Sequence, residues 1–227
     1  MSEFVIAPPA IPAVPVAGGG LFPVRRIFCV GRNYAAHTRE MGGDPNREPP
    51  FFFTKPADAI ALGDSVPFPS ATQNLHHEME LVVALGAGGR DIPSDAALAH
   101  IYGYAAGVDL TRRDLQDEAK SLRRPWDMSK GFDLSAPISL IVPAARIGHP
   151  AAGRISLAVN GERRQNGDLS DMIWPVADII SFLSSLVELK PGDLIYTGTP
   201  DGVGQIQPGD RVYGVIDGVG ELEFTLA

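Results

Sequence analysis

Glycine and proline punctuate this chain from end to end: 25 glycines and 20 prolines lie scattered between short apolar runs rather than gathered into one linker. Proline cannot donate a backbone hydrogen bond and glycine weakens helices and strands alike, so this spacing admits many short elements and few long helices. The fold class expected is mainly β with short helices (α+β). Strands are expected over 27–31, 51–54, 79–85, 101–110, 155–160, 194–197, 211–216 and 221–226, with Asn160-Gly161 as a hairpin turn. Helices are expected over 35–41, 94–100 and 177–187, and a further one opening at a capping box over 111–114 whose Arg112 and Gln116 would share a face. No segment repeats at a solenoid or propeller period. Residues 1–24 read as an extended Pro/Gly-rich arm ending in a Gly18-Gly19-Gly20 hinge, and residues 25–227 as a single domain.

Charge excludes several function classes. The formal net charge is −8 and no dense Lys/Arg run occurs, so the chain lacks the electrostatic footprint of a nucleic-acid or anionic-membrane binder. Pro8, Pro9, Pro12 and Pro15 break any spanning helix near the N-terminus, and no later apolar run approaches membrane length. The single cysteine, Cys29, cannot form an intrachain disulfide and fits a reducing, cytoplasmic setting. Its place in an apolar run suits packing.

Candidate chemistry begins at LHHEMELVVALG, residues 75–86. On a strand, Glu78 and Glu80 share a face with Val82 and Ala84, while Met79, Leu81, Val83 and Leu85 share the other. Both faces are apolar downstream, so two like charges stand at the mouth of a buried face, which is tolerable chiefly beside a cation. Asp109, at the end of IYGYAAGVDL, adds a third carboxylate. Oxygen donors of this kind suit Mg²⁺, Mn²⁺ or Ca²⁺ rather than structural zinc. His76 and His77 read as surface or supporting residues. In GRNYAAHTREM, His37 and Glu40 stand at helical i,i+3 spacing, the minimum apparatus of an oriented general base, and the glycines that follow suggest a lid hinge. Lys130 precedes Gly131 in a segment that can face a cleft. YTGTPDGVG, residues 196–204, offers either an anion-binding nest of amides and hydroxyls or a tight hairpin. Neither a P-loop nor a dinucleotide fingerprint is present.

The blocks GRNYAAHTREMG, FFFTKPADAI, HHEMELVVALG, YGYAAGVDLTRRDLQ, PWDMSKGFDLSAPI, VNGERRQNGDLSDMIW and GDLIYTGTPDGVG, in this order, resemble the fumarylacetoacetate hydrolase family. The resemblance is nearest to its short acylpyruvate hydrolase branch, which includes fumarylpyruvate hydrolases. It implies a mixed β-roll in a homodimer, with Mg²⁺ or Mn²⁺ on Glu78, Glu80 and Asp109. It further implies His37 and Glu40 as the general-base pair on a mobile lid, Lys130 as the active-site lysine, and Lys55, Arg112, Gln116 and Thr199 along the substrate cleft. Longer members of the family add a fourth carboxylate; Asn33-Tyr34-Ala35-Ala36 offers none.

The activity so implied is cleavage of the C3–C4 bond of a 2,4-dioxo acid, fumarylpyruvate being the preferred substrate, by a water that His37 deprotonates. Arg32, Arg123 and Arg124 are available for a distal carboxylate. Oxaloacetate decarboxylation, or a related 2-oxo acid decarboxylase or isomerase activity, is the alternative within the family. A β-rich binding module without turnover is the alternative outside it.

Overall fold

A computed structural model describes residues 4–40 and 48–227. Its centre is a six-stranded sheet in the order Val142–Pro143, Ile101–Val108, Met79–Leu85, Asp193–Tyr196, Arg26–Gly31, Phe51–Lys55. Asp193–Tyr196 pairs parallel with Arg26–Gly31, whereas the other neighbours pair antiparallel. A five-stranded sheet packs against it, ordered Glu162–Asp168, Arg154–Val159, Arg211–Ile216, Gly220–Leu226, Ser65–Val66. A smaller sheet joins Thr111–Arg112, Leu75–His77 and Gly204–Ile206. The fold is thus the expected mixed β architecture with short helices.

The strand Met79–Leu85 is buried along its whole length, and its alternation divides the interior. Met79, Leu81, Val83 and Leu85 face a core shared with Leu157, Val212, Phe224 and the helix Val176–Leu186. Val82 and Ala84 face a second core with Ile27, Cys29, Leu194 and Tyr196. Glycine permits the close approaches this needs: a Cβ on Gly107 would lie 2.5 Å from Val82 Cγ2 and 2.7 Å from Tyr196 Cε1. Cys29 is buried in the second core as expected, and burial raises its thiol pKa well above the ordinary value.

Several local expectations change in three dimensions. Part of the N-terminal arm is folded: Ala13–Pro15 and Leu21–Pro23 form a hairpin whose Val14 and Phe22 enter the second core. The glycine triplet makes its turn, with Gly18, Gly19 and Gly20 all at positive φ. Apolar residues alternating with the prolines account for this docking. The Asn160-Gly161 hairpin forms as expected, with both residues at positive φ. The capping box does not form. The helix Arg113–Ser121 has no side-chain cap, because Asp114 accepts instead from Thr72 Oγ1 (2.6 Å) and the Gln73 amide (2.8 Å). The expected helix over 94–100 is a short α turn, Ser94–Ala97, followed by a 3₁₀ turn, Leu98–His100. The glycines after Glu40 lie outside the described residues.

Candidate metal centre and active-site cavity

Strand register brings the acidic residues together. Glu80 pairs with Gly107 and Met79 with Val108, and the Asp109 amide donates to Glu78 O at 2.8 Å just beyond the strand ends. Residues directly opposite in a ladder share a face, so Glu78, Glu80 and Asp109 point the same way. One carboxylate oxygen from each lies within 4.8 Å of the others, and all three side chains are buried.

Cations surround this trio unevenly. Lys130 Nζ donates to Glu78 Oε2, Asp109 Oδ2 and Thr111 Oγ1, each at 2.7 Å, which commits its three protons. Arg113 pairs with Glu78 Oε1 and donates to Gln116 Oε1 at 2.6 Å. Lys55 Nζ lies 2.8 Å from Asp109 Oδ1 and donates to Leu110 O at 3.1 Å. Burial by itself would raise Glu78, but Lys130 and Arg113 hold it well below the usual carboxylate range. Burial would lower Lys130, but Asp109 and Glu78 raise it.

Glu80 differs. Its hydrogen-bond partner is the Gly198 amide at 2.8 Å, and among the described residues it has no salt bridge. Burial, then Asp109 and Glu78, push its pKa well above the ordinary value. A buried carboxylate in this position calls for a positive charge, and three converging hard oxygens can supply a divalent cation with ligands.

His37, from the second constellation, lines the same cavity. His37 and Glu40 lie on the short helix Ala35–Glu40, with His37 Nδ1 3.1 Å from Glu40 Oε2. Glu40 also accepts from the Gly202 amide at 3.1 and 3.2 Å. Although burial raises Glu40, its bonds to His37 and Gly202 bring its pKa below the ordinary value. With Nδ1–H directed at Glu40, His37 Nε2 carries the free lone pair. The loop 197–203 is not the tight hairpin its sequence offered as one form, and the anions its amides take are carboxylates of the chain itself. Gly204–Ile206 pairs with Leu75–His77 rather than closing a tight hairpin, and the loop amides bind the protein's own Glu80 and Glu40.

The cavity is lined by His37, Glu78, Glu80, Arg113, Gln116, Lys130 and Thr199, with Phe51, Phe53 and Trp126 as an aromatic wall. Gln116, Thr199 and Lys130 are thus among the residues at the cavity wall. Lys55 and Arg112 do not line the cavity. Lys55 is buried behind Asp109, and the Arg112 guanidinium lies 4.4 Å from the Phe132 ring centroid with Nη1 donating to Met128 O. Arg113, one residue on, takes the place expected of Arg112. The chain passes from strand to helix between these two residues, and that phase change is invisible in a dipeptide of identical side chains. The Phe51–Trp126 contact, edge to face at 5.5 Å, was also unmarked in the sequence. Of the three further arginines, Arg32 lines the cavity, Arg124 lines an adjoining pocket beside Trp126, and Arg123 lines neither.

His76 and His77 are supporting residues, as expected. His76 Nδ1 accepts from Arg113 Nε at 3.4 Å, and His77 Nδ1 lies 3.0 Å from Gln165 Oε1. Burial, then the Arg113 charge, lowers His76 to about 4.

A mixed β fold carrying a buried three-carboxylate site beside an oriented histidine defines a class of divalent-cation-binding enzymes. The fumarylacetoacetate hydrolase C-terminal family profile matches residues 26–227, and the chain belongs to this family. It is 51% identical to a fumarylpyruvate hydrolase from Pseudomonas aeruginosa solved with Mn²⁺ and pyruvate, with 99% of both chains covered and a TM-score of 0.97. A Burkholderia cenocepacia structure described as a candidate fumarylpyruvate hydrolase is 58% identical, covering 100% of this chain and 99% of its own, with a TM-score of 0.94. Rattus norvegicus mitochondrial oxaloacetate tautomerase is 46% identical over 89% of this chain and 91% of its own length. Among the described residues no helix is long and apolar enough to cross a membrane.

Proposed function

We propose that the protein hydrolyses the C–C bond of an acylpyruvate, a 2,4-dioxo acid, with fumarylpyruvate yielding fumarate and pyruvate as the best-fitting case. The observation that carries this reading is the convergence of Glu78, Glu80 and Asp109 at a cavity lined by the two glutamates and by His37, whose Nδ1 is tied to Glu40. Its likeness to the Pseudomonas aeruginosa fumarylpyruvate hydrolase supports the substrate class.

Glu78, Glu80 and Asp109 would hold Mg²⁺ or Mn²⁺. When bound, the ion supplies fixed positive charge at the 2-oxo end of the substrate, where electron density collects as the C3–C4 bond breaks. His37 Nε2 takes a proton from water as that water attacks the C4 carbonyl. Glu40 holds the imidazole in the tautomer this requires and offsets the charge it acquires. Arg113, Gln116 and Thr199 present donors to the substrate's carboxylate and oxo oxygens. Lys130, at the cavity wall with its three protons committed, keeps the Glu78 and Asp109 carboxylates together. Arg32 at the cavity and Arg124 beside Trp126 offer charge to a distal carboxylate.

Oxaloacetate tautomerisation is the second reading, favoured by the tautomerase relatives. It uses the same 2-oxo acid recognition with proton transfer at C3 in place of attack by water. Incubating fumarylpyruvate and oxaloacetate separately with protein and Mg²⁺, Mn²⁺ or a chelator distinguishes them. The proposal expects metal-dependent release of fumarate and pyruvate from the first. Enol–keto interconversion of the second without any cleavage of the first would overturn it. A cytoplasmic homodimer completes the proposal, the former supported by the buried free Cys29 and the latter by the family assignment.

A further inference from the structure

Gln165 is fully buried in the otherwise polar strand Glu162–Asp168, and its amide spends its whole hydrogen-bonding capacity on the active-site surroundings. Oε1 accepts from the Met79 amide at 3.0 Å and lies 3.0 Å from His77 Nδ1. Nε2 donates to Pro200 O at 2.9 Å and to Thr199 Oγ1 at 2.8 Å. A backbone N–H can only donate and a backbone carbonyl can only accept, so the Met79 and Pro200 contacts fix which end of the amide is which. Thr199 Oγ1 is then an acceptor toward Gln165. Its proton must point elsewhere, and among the described residues no other partner takes it, while Thr199 lines the cavity with His37, Glu78 and Glu80.

We propose that Gln165 is a positioning residue that turns the Thr199 hydroxyl proton into the cavity, so that Thr199 acts as a dedicated donor to an anionic or carbonyl oxygen of the bound 2-oxo acid. The same amide grips the Met79 backbone between Glu78 and Glu80. It therefore sets the position of that donor relative to the carboxylates. This inference rests on the 2-oxo acid reading and extends it: a ligand presenting an alcohol donor at that point is disfavoured.

The test is a double-mutant cycle on the Mn²⁺-loaded protein, with pyruvate binding followed by calorimetry. Thr199→Val removes the hydroxyl. Gln165→Glu supplies only acceptors, so the hydroxyl proton turns away from the cavity. Each variant is expected to weaken pyruvate about tenfold, the double variant by the same tenfold rather than about a hundredfold, while Thr199→Ser retains wild-type binding. Mn²⁺ affinity should stay within about twofold throughout, a separation that general loosening of the fold does not produce. If Gln165→Glu does not fold, Gln165→Met, which leaves the hydroxyl free to rotate, takes its place in the cycle. Additive losses, or unchanged pyruvate affinity in the Gln165 variant, overturn the inference, as does absence of pyruvate binding by the wild-type protein. Acylpyruvate cleavage is measured alongside. A coupled cycle without cleavage leaves this inference standing and removes the proposed function; cleavage with additive losses does the reverse.

Discussion

The two ends of the cavity are built on opposite physical plans. At one end Glu78 and Asp109 are buried and clamped by Lys130, Lys55 and Arg113, every one of these on or beside a strand or helix of the core. At the other, His37 is buried but Glu40 is one-third exposed, on a six-residue helix joined to the loop 197–203 through a bifurcated bond from the Gly202 amide. At the acidic end the cost of burying Glu78 and Asp109 is offset by cations of the folded chain, which hold both in place. The histidine end is held by a few polar contacts of the kind that break without disturbing a core.

The contrast can be broken most severely at Glu80, the one member of the trio without a cationic partner among the described residues. Glu80→Ala should abolish metal-dependent turnover and leave no tight Mn²⁺ site by calorimetry; retained Mn²⁺ affinity would remove the metal assignment. His37→Ala should lower turnover by about 10²–10⁴-fold while Mn²⁺ affinity is unchanged, the outcome expected of the proposed proton-transfer role. Lys130→Met takes one of two cationic partners from each of Glu78 and Asp109, leaving Arg113 and Lys55 in place, and should destabilise the metal-free protein by up to about 3–5 kcal/mol in denaturant unfolding, with added Mn²⁺ recovering part of the loss. An unchanged midpoint there would show that the acidic end is not held by its lysine.

The smallest effect sharpens the other side. Glu40 has a depressed pKa in the folded protein, so its contacts to His37 and Gly202 contribute fully above the ordinary carboxylate value of 4.5 and are lost as pH falls below it toward the lower folded value. Hydrogen exchange at the Gly202 amide, corrected for its intrinsic pH dependence, should lose protection through that window while the Asp109 amide, bonded to Glu78 O, keeps its own. Equal loss at both amides would mean that the two ends are not mechanically distinct.

Gln165 illustrates why part of the site could not be read from the chain. A two-residue turn at Asn160-Gly161 pairs Val159 with Glu162 and Ala158 with Arg163, and an unbroken ladder would then set Leu157 against Arg164. A bulge between Leu157 and Ala158 shifts the register by one, so Leu157 faces Gln165 and the glutamine turns inward. Nothing in ERRQNGD announces that bulge. Lys130 is a similar case: in sequence it is a lysine near a glycine, and only the packing of the turn Asp127–Lys130 against the acidic strand ends commits its three protons.

Local physics in the chain determined the short-element β architecture through its glycines and prolines. It also determined the twin burial of Met79–Leu85 through alternation, and the His37–Glu40 contact through helical spacing, because each depends on neighbours a few residues apart. Tertiary structure alone decided that Asp109 meets Glu78 and Glu80, that Arg113 rather than Arg112 turns to the cavity, and that Lys55 stands behind Asp109 instead of facing substrate. Those outcomes depend on ladder register and on the angle at which separate elements dock, quantities set by the whole core at once and carried by no single stretch of residues.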